Sequence, residues 1–147
     1  MSALYTNYLN LCLGDDTAAH GFVDIDTDTI KVGIVDTGTD YSFSAAHQDW
    51  DDVGAYTLNA SYNGETNQTL SNIAISSGAV DNTQDITFTG VAIDGAKTVD
   101  AIIHYKDSGV IGTSPLISFH NSFVGGAVTP NGGDIVIAYN ASGIFSL

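Results

Sequence analysis

Four histidines, one cysteine and seventeen acids define the chemistry this chain could perform. Three of the acids stand at Asp24, Asp26 and Asp28, and an Asp-x-Asp-x-Asp run can open an oxygen-rich calcium loop. Such a loop needs glycine at its sixth position and an acid at its twelfth. Here those positions are Thr29 and Val35. The run is therefore read as a solvated acidic edge, which also discourages pairing with a foreign strand. Zinc would have to draw on His20, His47, His104, His120 and Cys12, and none of these has the tight spacing of a structural zinc site. No metal and no cofactor are expected.

Nucleophilic catalysis needs Ser or Cys beside a His that an acid orients. The residue types are present, but the Gly-x-Ser-x-Gly elbow is absent. Glycoside hydrolysis needs two carboxylates at a set separation, and nothing singles out one pair among so many acids. The Gly-rich stretches lack the Lys-Ser/Thr of a phosphate loop. No catalytic residue is expected, and the chain is read as a non-enzyme. His104, within Ile102-Ile103-His104-Tyr105, reads as one polar residue on a half-exposed strand. His120-Asn121-Ser122 reads as a strand end running into a turn. Trp50, among Asp49, Asp51 and Asp52, is a candidate partner anchor; the favoured alternative buries one of its faces beneath a short helical turn.

The charge balance narrows the partners. Against the seventeen acids stand only Lys31, Lys97 and Lys106, with no Arg, for a net charge of −14. Nucleic-acid binding requires cations that displace counterions from phosphate, and this balance repels nucleic acid and anionic lipid alike. Halophilic or marine adaptation is a rival reading of the same charge. Only 14% of residues are charged, below the usual level of about 25%, so Thr, Ser, Asn and Gly must supply the polar surface. Cys12 has no partner for a disulfide and reads as a small buried hydrophobe. No apolar run reaches the ~20 residues that cross a bilayer. No basic stretch leads into an apolar core at the N-terminus, so no secretory leader is expected.

The elements that must position these residues follow from periodicity. Leu4, Tyr5, Tyr8, Leu9 and Cys12 recur at helical spacing over Ala3 to Leu13, and Gly14 is a plausible stop. Thr29–Asp36 alternates as a strand, with Ile30, Val32 and Ile34 on one face and Lys31, Gly33 and Val35 on the other. Ser44 could cap a helical turn over Ala45 to Val53. Tyr56–Ser61, Leu70–Ser76, Asp85–Thr89, Thr98–Lys106, Leu116–His120, Asp134–Tyr139 and Ile144–Leu147 are further strands, and Asn63-Gly64 is a hairpin-type turn. Turn signals about every 8–12 residues point to a sandwich or barrel. The expectation is an all-β chain: an N-terminal helical segment over 1–14, then one antiparallel β-sandwich domain over 15–147. Its core should contain Ile30, Val32, Ile34, Ile86, Phe88, Ile102, Ile135 and Ile137.

Several of these stretches resemble a family of short structural proteins of tailed bacteriophages. The resemblance is carried by Asp28-Thr-Ile-Lys-Val-Gly-Ile-Val-Asp-Thr37, Ile103-His-Tyr-Lys-Asp-Ser-Gly109, Thr113-Ser-Pro-Leu-Ile117, Val128-Thr-Pro-Asn-Gly-Gly-Asp-Ile135 and the closing Gly143-Ile-Phe-Ser-Leu147. In order and spacing it spans about Asp24 to Leu147. The N-terminal helix of such proteins usually carries basic residues, absent from Tyr5 to Gly14. A Trp often precedes the last turn, where this chain has Tyr139-Asn140-Ala141-Ser142. The resemblance implies a jelly-roll-like capsid decoration (cement) protein on the exterior of the virion, assembled in the host cytoplasm. Its implied partners are the major capsid protein and further copies of itself, as a dimer or trimer, with no nucleic acid and no membrane. A tail or baseplate component and a carbohydrate-binding adhesin are the alternatives.

The N-terminal stripe bears on that role. A helix of about 11 residues is marginal alone in water, so Leu4, Tyr5, Tyr8 and Leu9 must pack on this chain's own body or on a neighbour. If they clamp a neighbour, they and Trp50 form the partner-binding set, and removal of Met1 to Gly14 leaves a folded body.

Overall fold

A computed structural model describes residues 1–14, 21–53, 66–92, 95–140 and 142–147. It consists mostly of antiparallel β-strands with one short α-helix. The strands are β1 (Ser2–Leu4), β2 (Ile30–Val35), β3 (Gln68–Thr69), β4 (Ile73–Ser76), β5 (Ala79–Asn82), β6 (Ile86–Phe88), β7 (Ala101–Lys106), β8 (Leu116–His120), β9 (Ile135–Ile137) and β10 (Phe145–Ser146); the helix α1 is Thr6–Cys12. They form a five-stranded sheet in the order β1-β8-β7-β2-β3, a three-stranded sheet β10-β5-β4 and a two-stranded sheet β6-β9. The expected strand Tyr56–Ser61 and the Asn63-Gly64 turn lie outside the described residues.

Strands β2 and β7 pair along their whole length, from Ile30 opposite Lys106 to Val35 opposite Ala101. Both are rich in β-branched residues, which fit a pleated surface. All eight predicted core residues meet in one cluster that joins strands of the three sheets with Tyr8 and Leu11 of α1. The opposite face of the large sheet is covered as well. There Val35, Ala101, Ile103, Tyr105, Leu116 and Phe119 pack with Tyr41, Trp50 and Val53 of the segment after β2. Burial on both faces explains why Ala101–Tyr105 has no exposed residue.

That second layer is held by polar anchors. The Asp36 carboxylate accepts backbone N–H groups from Gly38, Thr39 and Thr98 at 2.7–2.9 Å. Burial alone would raise its pKa, and these bonds outweigh burial and hold it below the ordinary value. A 3-10 turn at Trp50–Asp52 is closed by a capping box between Asp49 and Asp52. The hydroxyl of Ser44, the expected cap, accepts the N–H of Ala46 at 3.3 Å, and its carbonyl accepts that of His47 at 3.1 Å. The Trp50 indole is fully buried and stacks on Tyr105 at 4.0 Å. Gly33 of β2 lies against this ring, and a Cβ there would come within 2.5 Å of Trp50 Cη2. Glycine is required here by close approach of the ring.

The N-terminus departs from the helix expected over Ala3–Leu13. Ser2–Leu4 instead form an edge strand, with Ser2 opposite His120 and Leu4 opposite Ser118. Tyr5 donates its N–H to Ile117 O at 3.1 Å. Helix α1 starts only at Thr6, because pairing with β8 captures the preceding backbone. Gly14, at φ +86°, follows the helix as expected.

Between β4 and β5, Ser77 and Gly78 both have positive φ, 52° and 79°, as a two-residue type I′ hairpin turn requires. Each lysine is ion-paired: Lys31 with Asp107 at 2.7 Å, Lys97 with Asp40 at 2.9 Å and Lys106 with Asp28 at 2.9 Å. Asp28 also accepts the Asp24 N–H at 2.8 Å, so the Asp24–Asp28 run is a turn fastened to β7.

Candidate functional site: a polar chain beneath an uncharged cleft

Two strand registers bring a row of polar side chains together. Ser2 on β1 faces His120 on β8, and Ser118, two residues earlier on β8, faces His104 on β7. Period-2 alternation puts His120 and Ser118 on one face. Tyr139, just after β9, closes the row from the opposite layer. The bonds run from Ser2 Oγ to His120 Nδ1 at 3.0 Å and from His120 Nε2 to Ser118 Oγ at 3.1 Å. They continue from Ser118 Oγ to His104 Nδ1 at 3.0 Å and from His104 Nε2 to the Tyr139 hydroxyl at 2.8 Å.

Donor bookkeeping shows that the row is satisfied without charge. With both imidazoles neutral, each ring has one donor and one acceptor. In one polarity Tyr139 O–H donates to His104 Nε2, His104 Nδ1–H to Ser118, Ser118 O–H to His120 Nε2, and His120 Nδ1–H to Ser2. The reverse polarity also satisfies the four internal bonds. Burial pushes the His104 pKa well below 6.5, with repulsion from His120 adding to it. His120 falls to about 4, by burial and then by the charge of the N-terminal ammonium. Burial raises the pKa of the Tyr139 hydroxyl. The row is thus neutral near pH 7.

Its chemistry is limited. Ser118 and His104 are buried. An imidazole titrating near 4 is a weak general base at neutral pH. All four imidazole nitrogens in the row bond to hydroxyls, with no carboxylate in the orienting position of a triad. The geometry organises a buried polar core more readily than it activates a nucleophile.

Above the row lies a cleft of about 400 Å³. Phe123, Val124, Val128, Val136, Ile137 and Tyr139 line it, and Ser2 and His120 of the polar row also reach it. Val124, Val128 and Val136 are exposed. Among the described residues no Asp, Glu, Lys or Arg lines it, although the chain as a whole carries a charge of −14.

The residues singled out from sequence lie elsewhere. Tyr5, Tyr8 and Trp50 are buried in this chain's own core, which corrects their reading as surface contacts for a partner. The Tyr5 hydroxyl bonds that of Tyr41 at 2.9 Å. Leu4 is half-buried and Leu9 is exposed at the surface. Of the five, none lines the cleft. His104 is almost fully buried rather than half-exposed, because both faces of β7 are covered. His47 bonds Tyr41 through Nδ1 at 3.0 Å, and His20 lies outside the described residues. Among the described residues no group of three or more His, Cys, Asp or Glu is placed to hold a metal, and no helix is long and apolar enough to cross a membrane. A sequence signal for the polar row did exist: folding Thr98–Lys106 back on Leu116–His120 as a hairpin sets His104 beside Ser118.

No protein-family model matches the sequence, and neither a curated protein nor a solved structure matches it.

Proposed function

We propose that this chain is a capsid decoration (cement) subunit, bound to the major capsid protein on the outer surface of a bacteriophage shell. In this reading its strands form a jelly-roll-like β-sandwich. The sequence resemblance suggests the role. The observation that supports it best is a cleft lined by no charged side chain among the described residues, on an acidic molecule whose every lysine is held in an intramolecular ion pair. Paired lysines offer little to phosphate, and the excess acid keeps unbound subunits apart. The contact with the shell is then apolar and local. Dimers or trimers, present in many copies, would turn weak contacts into stable coverage through multivalency.

The test is co-sedimentation of purified protein with emptied particles of the parent virus, followed by imaging. Regular density over the icosahedral shell is expected. Density only along the tail axis replaces the reading with a tail component. No particle binding, together with glycan binding, replaces it with an adhesin.

A further inference from the structure

Among the described residues, strand β9 pairs only with β6. Antiparallel pairing engages the N–H and C=O groups of alternate residues, so the others along β9 point away from β6. Residues 136–139 line the cleft, whereas no β6 residue does. The cleft thus borders β9 and the residues after it, and not β6. Val136 is 56% exposed and lines the cleft together with the exposed Val124 and Val128.

We propose that this cleft binds an uncharged, extended peptide segment that adds as a strand to the β9 edge and packs apolar side chains against Val124, Val128 and Val136. The inference rests on the decoration reading only in assigning the segment to the shell protein. Three observations favour peptide over sugar. The His120 ring nitrogens and the Tyr139 hydroxyl are already engaged in the polar row, which leaves few side-chain groups for a polyhydroxylated ligand. The groups left over are the backbone N–H and C=O of a strand edge, which another extended backbone satisfies. Away from Ser2 and His120, near which the Met1 ammonium is held by Asn121 Oδ1, the cleft has no lysine to offer a carboxylate, which would enter a strongly anionic protein at a cost in both desolvation and repulsion, so the segment is neutral.

The probe is the blocked hexapeptide acetyl-Thr-Val-Thr-Val-Thr-Val-amide, beside its Glu-Val counterpart and maltotriose. Each is titrated into the ¹⁵N-labelled full chain, with amide shifts and hydrogen exchange as the readout. The neutral peptide should shift and protect amides of 135–139 and shift those of 123–128. The Glu-Val peptide should bind at least tenfold more weakly. Val136→Lys, at an exposed position, should keep the thermal midpoint and lose the binding; Val128→Asp serves should Val136→Lys misfold. Perturbation away from the cleft, no binding by the neutral peptide up to millimolar concentration, equal binding of both peptides, or maltotriose binding in the cleft would each overturn the proposal. On particles, full occupancy by Val136→Lys removes the cleft as the shell contact. Failure of the unmodified chain to bind particles removes the decoration reading instead, and the peptide titration then decides the cleft on its own.

Discussion

Acid should loosen this fold through its histidines before it does so through its carboxylates. Unfolded, His104 and His120 titrate near 6.5; folded, His104 lies well below that and His120 near 4. Between these values the unfolded chain binds more protons, so stability falls as pH drops from about 6.5 towards 4 and is level above. For His120 alone the interval corresponds to about 3 kcal/mol. Its ring is only partly buried, and screening brings the expected loss to about 2 kcal/mol; His104 adds to it with the same sign. Asp36 and Asp107 have lowered values, so their contribution is lost only below about pH 4, a separate window. Relief of repulsion among the surface acids acts in the opposite direction, and a comparison with His104→Gln and His120→Gln cancels it. Urea unfolding followed by fluorescence of Trp50, the sole and buried tryptophan, measures stability at each pH. Wild type should lose stability between pH 6.5 and 4.5 more steeply than either variant. Equal slopes would refute the assignment of a neutral polar row.

Gly33→Ala should cost about 1–3 kcal/mol, because its methyl collides with a Trp50 ring clamped by Tyr105; an unchanged urea midpoint would show that the ring yields. Deletion of Met1 to Gly14 removes β1 and the buried Tyr5, Tyr8 and Leu11. Each such side chain is worth about 2–5 kcal/mol against a typical total of 5–15 kcal/mol, so the truncated chain should be unfolded by circular dichroism. A folded truncation would restore the N-terminal segment as a detachable arm. Gly132→Val should cost about 1–2 kcal/mol from its positive φ, since nothing lies within 4 Å of the added Cβ; thermal melting reads this directly.

Alternation made the main core legible. Ile30, Val32 and Ile34 share a face, and with Ile86, Phe88, Ile102, Ile135 and Ile137 they form one cluster. Strand β8 falls where its apolar run predicted. What alternation does not encode is the second covering layer. Trp50 and Tyr41 follow β2 in an irregular segment whose placement depends on the space above Gly33, a tertiary property. Strand β5 escaped because Ala79-Val80-Asp81-Asn82 has weak strand propensity and is held by its hairpin with β4 and its pairing with β10. β1 escaped because a three-residue edge strand has no period of its own and the helical stripe ran through it. The polar row was half legible: the β7–β8 hairpin was readable, but Tyr139 reaches His104 across 35 positions, and local pattern carries no information at that range.

The ion pairs also bear on durability. With no arginine, trypsin can cleave only after Lys31, Lys97 and Lys106. The first lies within β2 and the third ends β7, the two strands paired along their whole length, and all three ammonium groups already touch a carboxylate. A protease needs an extended, released segment, so cleavage beside Lys31 or Lys106 must wait for the central sheet to open. Tryptic cleavage beside Lys31 and Lys106 in the native protein thus times the opening of that sheet.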